Sequence, residues 1–109
     1  MPSSTYQLFR EAILREKQVT CVYQRKYREV CPHIIGHTDG KERVFVFQFA
    51  GESTGALPNW RCFHLSEVGD VRLRDGDWRA GESHKKGQTC VHNIDLDINV
   101  HVRKLRKLP

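Results

Sequence analysis

Long apolar segments are missing from this sequence. No run approaches the roughly 20 residues that a membrane-spanning helix requires. Residues 1–17 lack the basic stretch followed by an apolar stretch that is typical of a secretory signal. Internal repeats, linkers and low-complexity tracts are also absent. These absences predict a cytoplasmic chain with no membrane partner, and they exclude a repeat architecture.

Motifs of the common catalytic sites are missing as well. The glycine-rich segment 51–55 lacks the Gly-Lys-Ser/Thr ending and the following helix of a phosphate-binding loop. Cys62 or Cys90 with a nearby histidine could form a nucleophile and its base, but no nucleophile elbow accompanies either of them. We therefore predict a protein that is not an enzyme and has no cofactor, and a small enzyme stays the weakest alternative.

Cysteine is sparse and unclustered in the sequence. The four cysteines are Cys21, Cys31, Cys62 and Cys90. In a cytoplasmic protein this usage predicts four reduced, mostly buried thiols. Three of them lie two residues before a histidine, as Cys31-Pro32-His33, Cys62-Phe63-His64 and Cys90-Val91-His92. Each pair could offer zinc two ligands, but the paired-cysteine knuckles of known zinc modules are absent, so we predict no metal site and keep zinc as an alternative.

The length and the charge distribution indicate one domain with a basic end. A chain of 109 residues is long enough for a single core, which we place in residues 1–102. Most of the net charge of +5 comes from a tail at residues 103–109, namely from Arg103, Lys104, Arg106 and Lys107. The tail either contacts phosphates or an acidic partner, or is a solvated end.

Hydrophobic periodicity predicts one helix followed by short strands. Residues 4–17 carry an apolar stripe at helical spacing, formed by Tyr6, Phe9 and Ile13, with Ser4 and Gln7 as a capping box. Alternating patterns then predict strands in the ranges 19–23, 27–35, 43–49, 60–65, 67–74 and 94–102.

Two features refine this set of strands. Pro32 predicts an edge or a bulge in the second strand, and Asp39-Gly40 predicts a two-residue hairpin turn. The strand 43–49 places Phe45, Phe47 and Phe49 on one face, which we expect to form the core. Five or six antiparallel strands with one N-terminal helix predict a mainly β fold, a small barrel or a strongly bent sheet. The last strand either closes this sheet or pairs with its copy in a homodimer.

Basic and aromatic residues recur close together in the predicted strands. They are Arg25, Lys26, Arg28 and Arg61, with Tyr23, Tyr27 and Phe63 nearby in sequence. Guanidinium forks match phosphate oxygens, and aromatic faces stack on bases. The alternative is a solvated turn plus one arginine that is paired with Glu29 or Glu67.

Residues 11–79 resemble the WYL-domain family. The resemblance rests on Val22-Tyr23-Gln24-Arg25-Lys26, on Arg28-Glu29-Val30-Cys31-Pro32-His33, on the Asp39-Gly40 hairpin and on Trp60-Arg61-Cys62-Phe63-His64-Leu65. The naming triplet of the family is replaced by Val44-Phe45-Val46, and Glu67-Val68 stands where the family has Arg-Ile. Gln48 in the central strand and the Gly-Glu-Ser loop are typical of short stand-alone members.

The resemblance implies a five-stranded Sm-like (SH3-like) barrel that acts as a regulatory, ligand-sensing module in bacteria, often near phage-defence functions. It implies a basic groove for nucleic acid or a nucleotide-like ligand. Arg61, Arg25, Arg28 and Lys26 would hold phosphate there, with Phe63 and Tyr23 as stacking platforms. The second hypothesis is a protein-interaction or dimerisation module that uses the last strand and the basic tail to dock on a larger regulatory partner.

Overall fold

One helix and six strands make up the part of the chain that the structure describes. The computed structural model describes residues 2–78 and 88–100. In chain order the elements are α1 (Ser4–Arg15), β1 (Gln18–Tyr23), β2 (Lys26–Thr38), β3 (Lys41–Gly51), β4 (Asn59–His64), a 3₁₀ turn (Leu65–Glu67), β5 (Val68–Arg74) and β6 (Asn93–Asp97). The mainly β fold with an N-terminal helix is thus confirmed. No helix among these residues is both long enough and apolar enough to cross a bilayer.

All strand pairs in the sheet are antiparallel. The hydrogen-bonded order is β4-β3-β2-β1-β5, and β6 pairs with β2 beside this path. Because β4 and β5 lie at the two ends of the path and do not pair with each other within residues 2–78 and 88–100, the sheet is not closed there. The closed barrel therefore stays a prediction.

The long strand β2 has three partners. Its first half pairs with β1, its second half pairs with β6, and β3 runs along most of its other edge. Pro32 lies where β1 has ended at Val30 and β6 has not yet begun at Ile34, so on that edge no partner strand needs the missing N–H. The pairing with β3 shifts register between Pro32 and Ile34, which confirms the predicted bulge.

Helix α1 begins one residue earlier than the predicted cap. Ser3, not Ser4, is the N-cap, and its Oγ accepts the Tyr6 N–H at 3.1 Å. The carboxylate of Glu42 on β3 accepts the Ser3 N–H at 2.9 Å, a task that a glutamate of the helix itself performs in a capping box. The predicted stripe of Tyr6, Phe9 and Ile13 is buried against the sheet.

The main core uses the valine face of β3. Of the predicted phenylalanine core, Phe47 is buried and Phe45 packs against a second, smaller cluster of Ile34, Cys90 and Val91. Val44 and Val46 are fully buried beneath α1, together with Phe9 and Phe63. Since those two rings already fill much of the space, the smaller valines fit there. The phenylalanines lie on the opposite face. Phe45 stacks on Trp60 with ring centroids 4.8 Å apart, and Phe47 meets the same indole edge-on at 5.1 Å.

Two cysteines form a disulfide, which corrects the prediction of four reduced thiols. Cys62 on β4 is bonded to Cys90, with the Cα atoms 5.5 Å apart. The two cysteines are 28 residues apart in sequence, and strand pairing brings them together, so the sequence alone did not indicate the bond. Cys21 and Cys31 are buried thiols, as predicted.

The last strand is shorter than predicted. It ends at Asp97, and helical backbone follows at residues 98–100. The Asp97 carboxylate accepts a hydrogen bond from the Asn99 N–H at 2.9 Å. This side-chain bond forms a local turn in place of further strand pairing. Residues 101 and 102 of the predicted strand lie outside the described residues, as do Arg103, Lys104, Arg106 and Lys107 of the tail.

Candidate functional site

Most of the predicted ligand-binding residues meet at one pocket. The pocket has a volume of about 320 Å³ and lies between the β1–β2 turn, β4 and the loop after β3. Its lining includes Tyr23, Lys26, Arg28, Arg61 and Phe63. The two halves of this set are separated by more than thirty residues of sequence, and the sheet brings them together because β3 pairs with β2 on one edge and with β4 on the other.

Arg28 is a charged side chain inside the protein. It is only 6 % exposed and points to the same face of the sheet as the core valines. Its guanidinium lies over the ring of Tyr23 at 5.3 Å and over the ring of Phe63 at 5.5 Å, and these two rings stack on each other with centroids 4.2 Å apart. The ring faces offset part of the desolvation of the cation.

Gln48 fixes the position of Arg28. Its Oε1 accepts a hydrogen bond from Arg28 Nη1 at 3.1 Å, and its Nε2 donates to the carbonyl oxygens of Ala50 at 3.2 Å and Glu52 at 3.0 Å. Gln48 is fully buried, and its three bonds hold both the amide and the guanidinium in one orientation. The sequence signal for this role is a polar residue on the valine face of an otherwise apolar strand.

Arg61 approaches the same pocket from β4. Its Nη2 donates to Ser53 Oγ at 2.6 Å, and a Cβ added at Gly55 would lie 3.3 Å from that nitrogen. The segment 51–55, which only partly matches a phosphate-binding loop in sequence, therefore packs around a guanidinium. Ser53, Gly55, Thr54 and Glu67 contribute to the site although sequence reasoning did not assign them to it.

Of the carboxylates near these arginines, Glu52 acts on Arg28 through its charge, and Glu29 and Glu67 have other side-chain partners. Glu29 pairs with Arg74 at 2.5 Å, and Glu67 accepts a hydrogen bond from Tyr23 Oη at 3.4 Å. Within residues 2–78 and 88–100, neither Arg28 nor Arg61 forms an ion pair with a carboxylate. The part of the alternative that pairs a pocket arginine with Glu29 or Glu67 therefore does not hold for Arg28 or Arg61, whereas the exposed Arg25 agrees with a solvated turn.

Three cationic side chains, Lys26, Arg28 and Arg61, and one carboxylate, Glu67, line the pocket. The Nε atoms of Arg28 and Arg61 are both buried and have no hydrogen-bond acceptor within the described part of the chain. The pKa of Arg28 is lowered by desolvation first and by the positive charge of Arg61 second. An anion that enters the pocket would supply a compensating charge close to both guanidinium groups.

Three of the predicted site residues are placed differently from the rest. Arg25 is exposed in the β1–β2 turn and does not line the pocket. Tyr23 and Phe63 are 4 % and 0 % exposed. Their rings support Arg28 from within the core and present little surface for stacking on a base.

The structure also bears on the zinc alternative. The disulfide takes Cys62 and Cys90 out of the set of thiolate ligands, so two of the three Cys-x-His pairs have lost their sulfur donor. Among residues 2–78 and 88–100, no group of three or more histidine, cysteine, aspartate or glutamate side chains is arranged to hold a metal ion.

Comparison with known proteins gives no further identification. No family model matches the chain, and neither the curated proteins nor the solved structures contain a match. The resemblance to WYL domains thus has no support from these comparisons.

Proposed function

We propose that this protein is a ligand-sensing module, not an enzyme, which binds nucleic acid or a nucleotide-like ligand through phosphate. The observation that carries the proposal is the pair Arg28 and Arg61. Both arginines open on one pocket, both have a buried Nε without an acceptor in the described residues, and neither is paired with a carboxylate there. Uncompensated buried charge is unfavourable unless a ligand uses it.

The pocket residues divide the work of binding. Arg28 and Arg61 supply the forked donors that fit phosphate oxygens, and Lys26 adds a third cation at the wall. Tyr23, Phe63 and Gln48 hold Arg28 in place. The proposal also includes two predictions that the WYL resemblance implies, an Sm-like barrel and a regulatory role in the bacterial cytoplasm. A disulfide is less usual in the cytoplasm than outside it.

Fluorescence anisotropy with a labelled single-stranded oligonucleotide tests the proposal. The full chain, Arg61→Ala and the matched control Arg72→Ala are compared over a salt series. Arg72 is exposed on β5 and, within residues 2–78 and 88–100, its one ion pair is with Asp70 at 3.4 Å. Its removal therefore changes the net charge equally without altering the pocket lining. We expect Arg61→Ala to weaken binding by about tenfold or more, and Arg72→Ala by less than about twofold.

Two other outcomes would contradict the proposal. A chain ending at His101 that loses all binding would show that the basic tail is a nonspecific anchor. Salt-resistant oligomers that bind no oligonucleotide would favour the dimerisation module. That second candidate is supported by β6, which pairs only with β2 among the described residues and leaves Ile94 half exposed.

A further inference from the structure

We infer that the Arg28–Arg61 pocket recognises a terminal phosphate, a phosphomonoester, in preference to the internal diester phosphates of a nucleic-acid strand. The inference rests on the proposed function and narrows its ligand to one chemical group. That group occurs on a free nucleotide and on a phosphorylated strand end.

The charge in the pocket fits a dianion. A phosphomonoester carries nearly two negative charges at neutral pH, whereas an internal diester carries one. The lining brings the cations of Arg28, Arg61 and Lys26 to a single cavity. A terminal phosphate also has three oxygens free to accept hydrogen bonds, which suits donors that come from two guanidinium groups.

The buried position of the Arg28 side chain favours a phosphate at the end of a ligand over a phosphate within a strand. Arg28 is 94 % buried, so a group that reaches it must enter the pocket. An internal phosphate carries a sugar on each side, and both sugars would crowd the approach to a side chain that is this deeply buried. A terminal phosphate needs room for only one sugar.

A carboxylate in the wall of the pocket disfavours a nucleic-acid strand that continues past it on both sides. The carboxylate of Glu67 lines the cavity, and it would repel the neighbouring phosphates of a continuous backbone. With one phosphate bound at Arg28 and Arg61, the same carboxylate could accept a hydrogen bond from a sugar hydroxyl or a base amino group of the ligand.

The experiment uses one single-stranded DNA sequence that carries an internal fluorescent base and three kinds of ends. One probe has a 5′-phosphate, one has a 3′-phosphate, and one has hydroxyls at both ends. We expect at least one phosphorylated probe to bind the full chain about tenfold more tightly than the hydroxyl probe, and Arg61→Ala to abolish that difference while Arg72→Ala preserves it.

Glu67→Gln is a second variant that keeps the test valid if Arg61→Ala does not fold. Glu67 is exposed, so we expect this variant to be folded. It removes one negative charge from the pocket wall, so every probe should gain affinity while the preference for a phosphorylated end persists, and loss of that preference in this variant would contradict the inference. Competition with a nucleoside monophosphate then separates the two sources of the group. Displacement at a similar concentration indicates a free nucleotide, and no displacement indicates a strand end.

The failures are distinguishable from each other. If all three probes bind equally and depend on Arg61, the terminal-phosphate inference is overturned and the proposed function stands. If neither the probes nor the nucleoside monophosphate bind at modest salt, both are overturned.

Discussion

Arg28 shows how a single residue combines a structural cost with a binding role. Burial of an arginine without a carboxylate partner is unfavourable, because the guanidinium loses its hydration. Two aromatic faces and one amide oxygen offset part of that loss. The remaining deficit is the buried Nε, which has no acceptor in the described residues, and the same holds for the Nε of Arg61 on the other side of the pocket lining. A core chosen only for stability would place an apolar residue here.

Gln48 is the residue on which this arrangement depends most. We expect Gln48→Leu to lower the free energy of unfolding by about 2–4 kcal/mol, because Arg28 Nη1 and two backbone carbonyls lose their buried partner. Urea denaturation measures the change. Gln7→Leu on the exposed face of α1 is the matched control, and we expect it to stay within about 0.5 kcal/mol of the unmodified protein. An equal effect of both variants would show that Gln48 has no special role.

At the scale of elements, the two tight turns of the sheet differ in how well their sequences fit. Asp39 and Gly40 have φ values of 52° and 75°, and Asp-Gly is favoured in such a turn. Gln24 and Arg25, between β1 and β2, have φ values of 53° and 64° with residues that disfavour this conformation. The less suitable turn lies beside the pocket, since Gln24 lines it.

Arg25→Gly tests that strain and the placement of Arg25 together. We expect the variant to raise the free energy of unfolding by about 0.5–1 kcal/mol, because glycine adopts a positive φ without a Cβ clash. Oligonucleotide affinity should change by less than about twofold, since Arg25 does not line the pocket. Thermal unfolding and anisotropy on the same sample measure both. A large loss of affinity would show that Arg25 takes part in oligonucleotide binding.

The helix and the strands were predictable from local sequence patterns. Which face of β3 packs beneath the helix was not. The helix stripe, the Asp39-Gly40 turn and the bulge at Pro32 each follow from chemistry within a few residues. The choice between the valine face and the phenylalanine face of β3 depends on what packs above it, and Phe9 and Phe63 come from distant segments. A strict alternation of apolar residues on both faces carries no local signal for that choice.

For the candidate site, too, the residue types were predictable from the sequence and their spatial arrangement was not. The presence of arginines and aromatic residues in the β1–β2 turn and in β4 was visible in the sequence. Their convergence depends on the register of β3 with both neighbours, and so does the hydrogen bond between Gln48 and Arg28. The pairing of Glu29 on β2 with Arg74 on β5 also depends on long-range contacts, which the sequence does not show.

At the scale of the whole molecule, the segment that precedes β6 is anchored twice. The disulfide joins Cys90 to β4, and Thr38 at the end of β2 donates to the Cys90 carbonyl at 2.8 Å and accepts the His92 N–H at 3.1 Å. Gly36 allows the next stretch to approach closely, because a Cβ there would lie 2.0 Å from the Asn93 oxygen. Together these contacts set the register of β6 on β2.

A variant without the disulfide tests how much this cross-link contributes to the free energy of unfolding. A cross-link that closes a loop of 28 residues is expected to contribute about 3–4 kcal/mol, mainly by restricting the unfolded chain. The free energy of unfolding of a Cys62→Ser/Cys90→Ser variant should therefore fall by about that amount relative to the unmodified protein, as measured in urea. Cys21→Ser under the same conditions is the control that removes a thiol without opening a cross-link.

The reaction of the native protein with a dithiol adds an independent check. Cys62 is exposed, so the reductant can reach the bond without global unfolding. Burial raises the pKa of Cys21 to about 12, so this thiol stays protonated at mildly alkaline pH and resists alkylation while the fold persists. Mass spectrometry should therefore find label on Cys62 and Cys90 before Cys21. Simultaneous labelling of all three would mean that reduction unfolds the protein, and that the contacts of Thr38 and Gly36 cannot hold the fold without the cross-link.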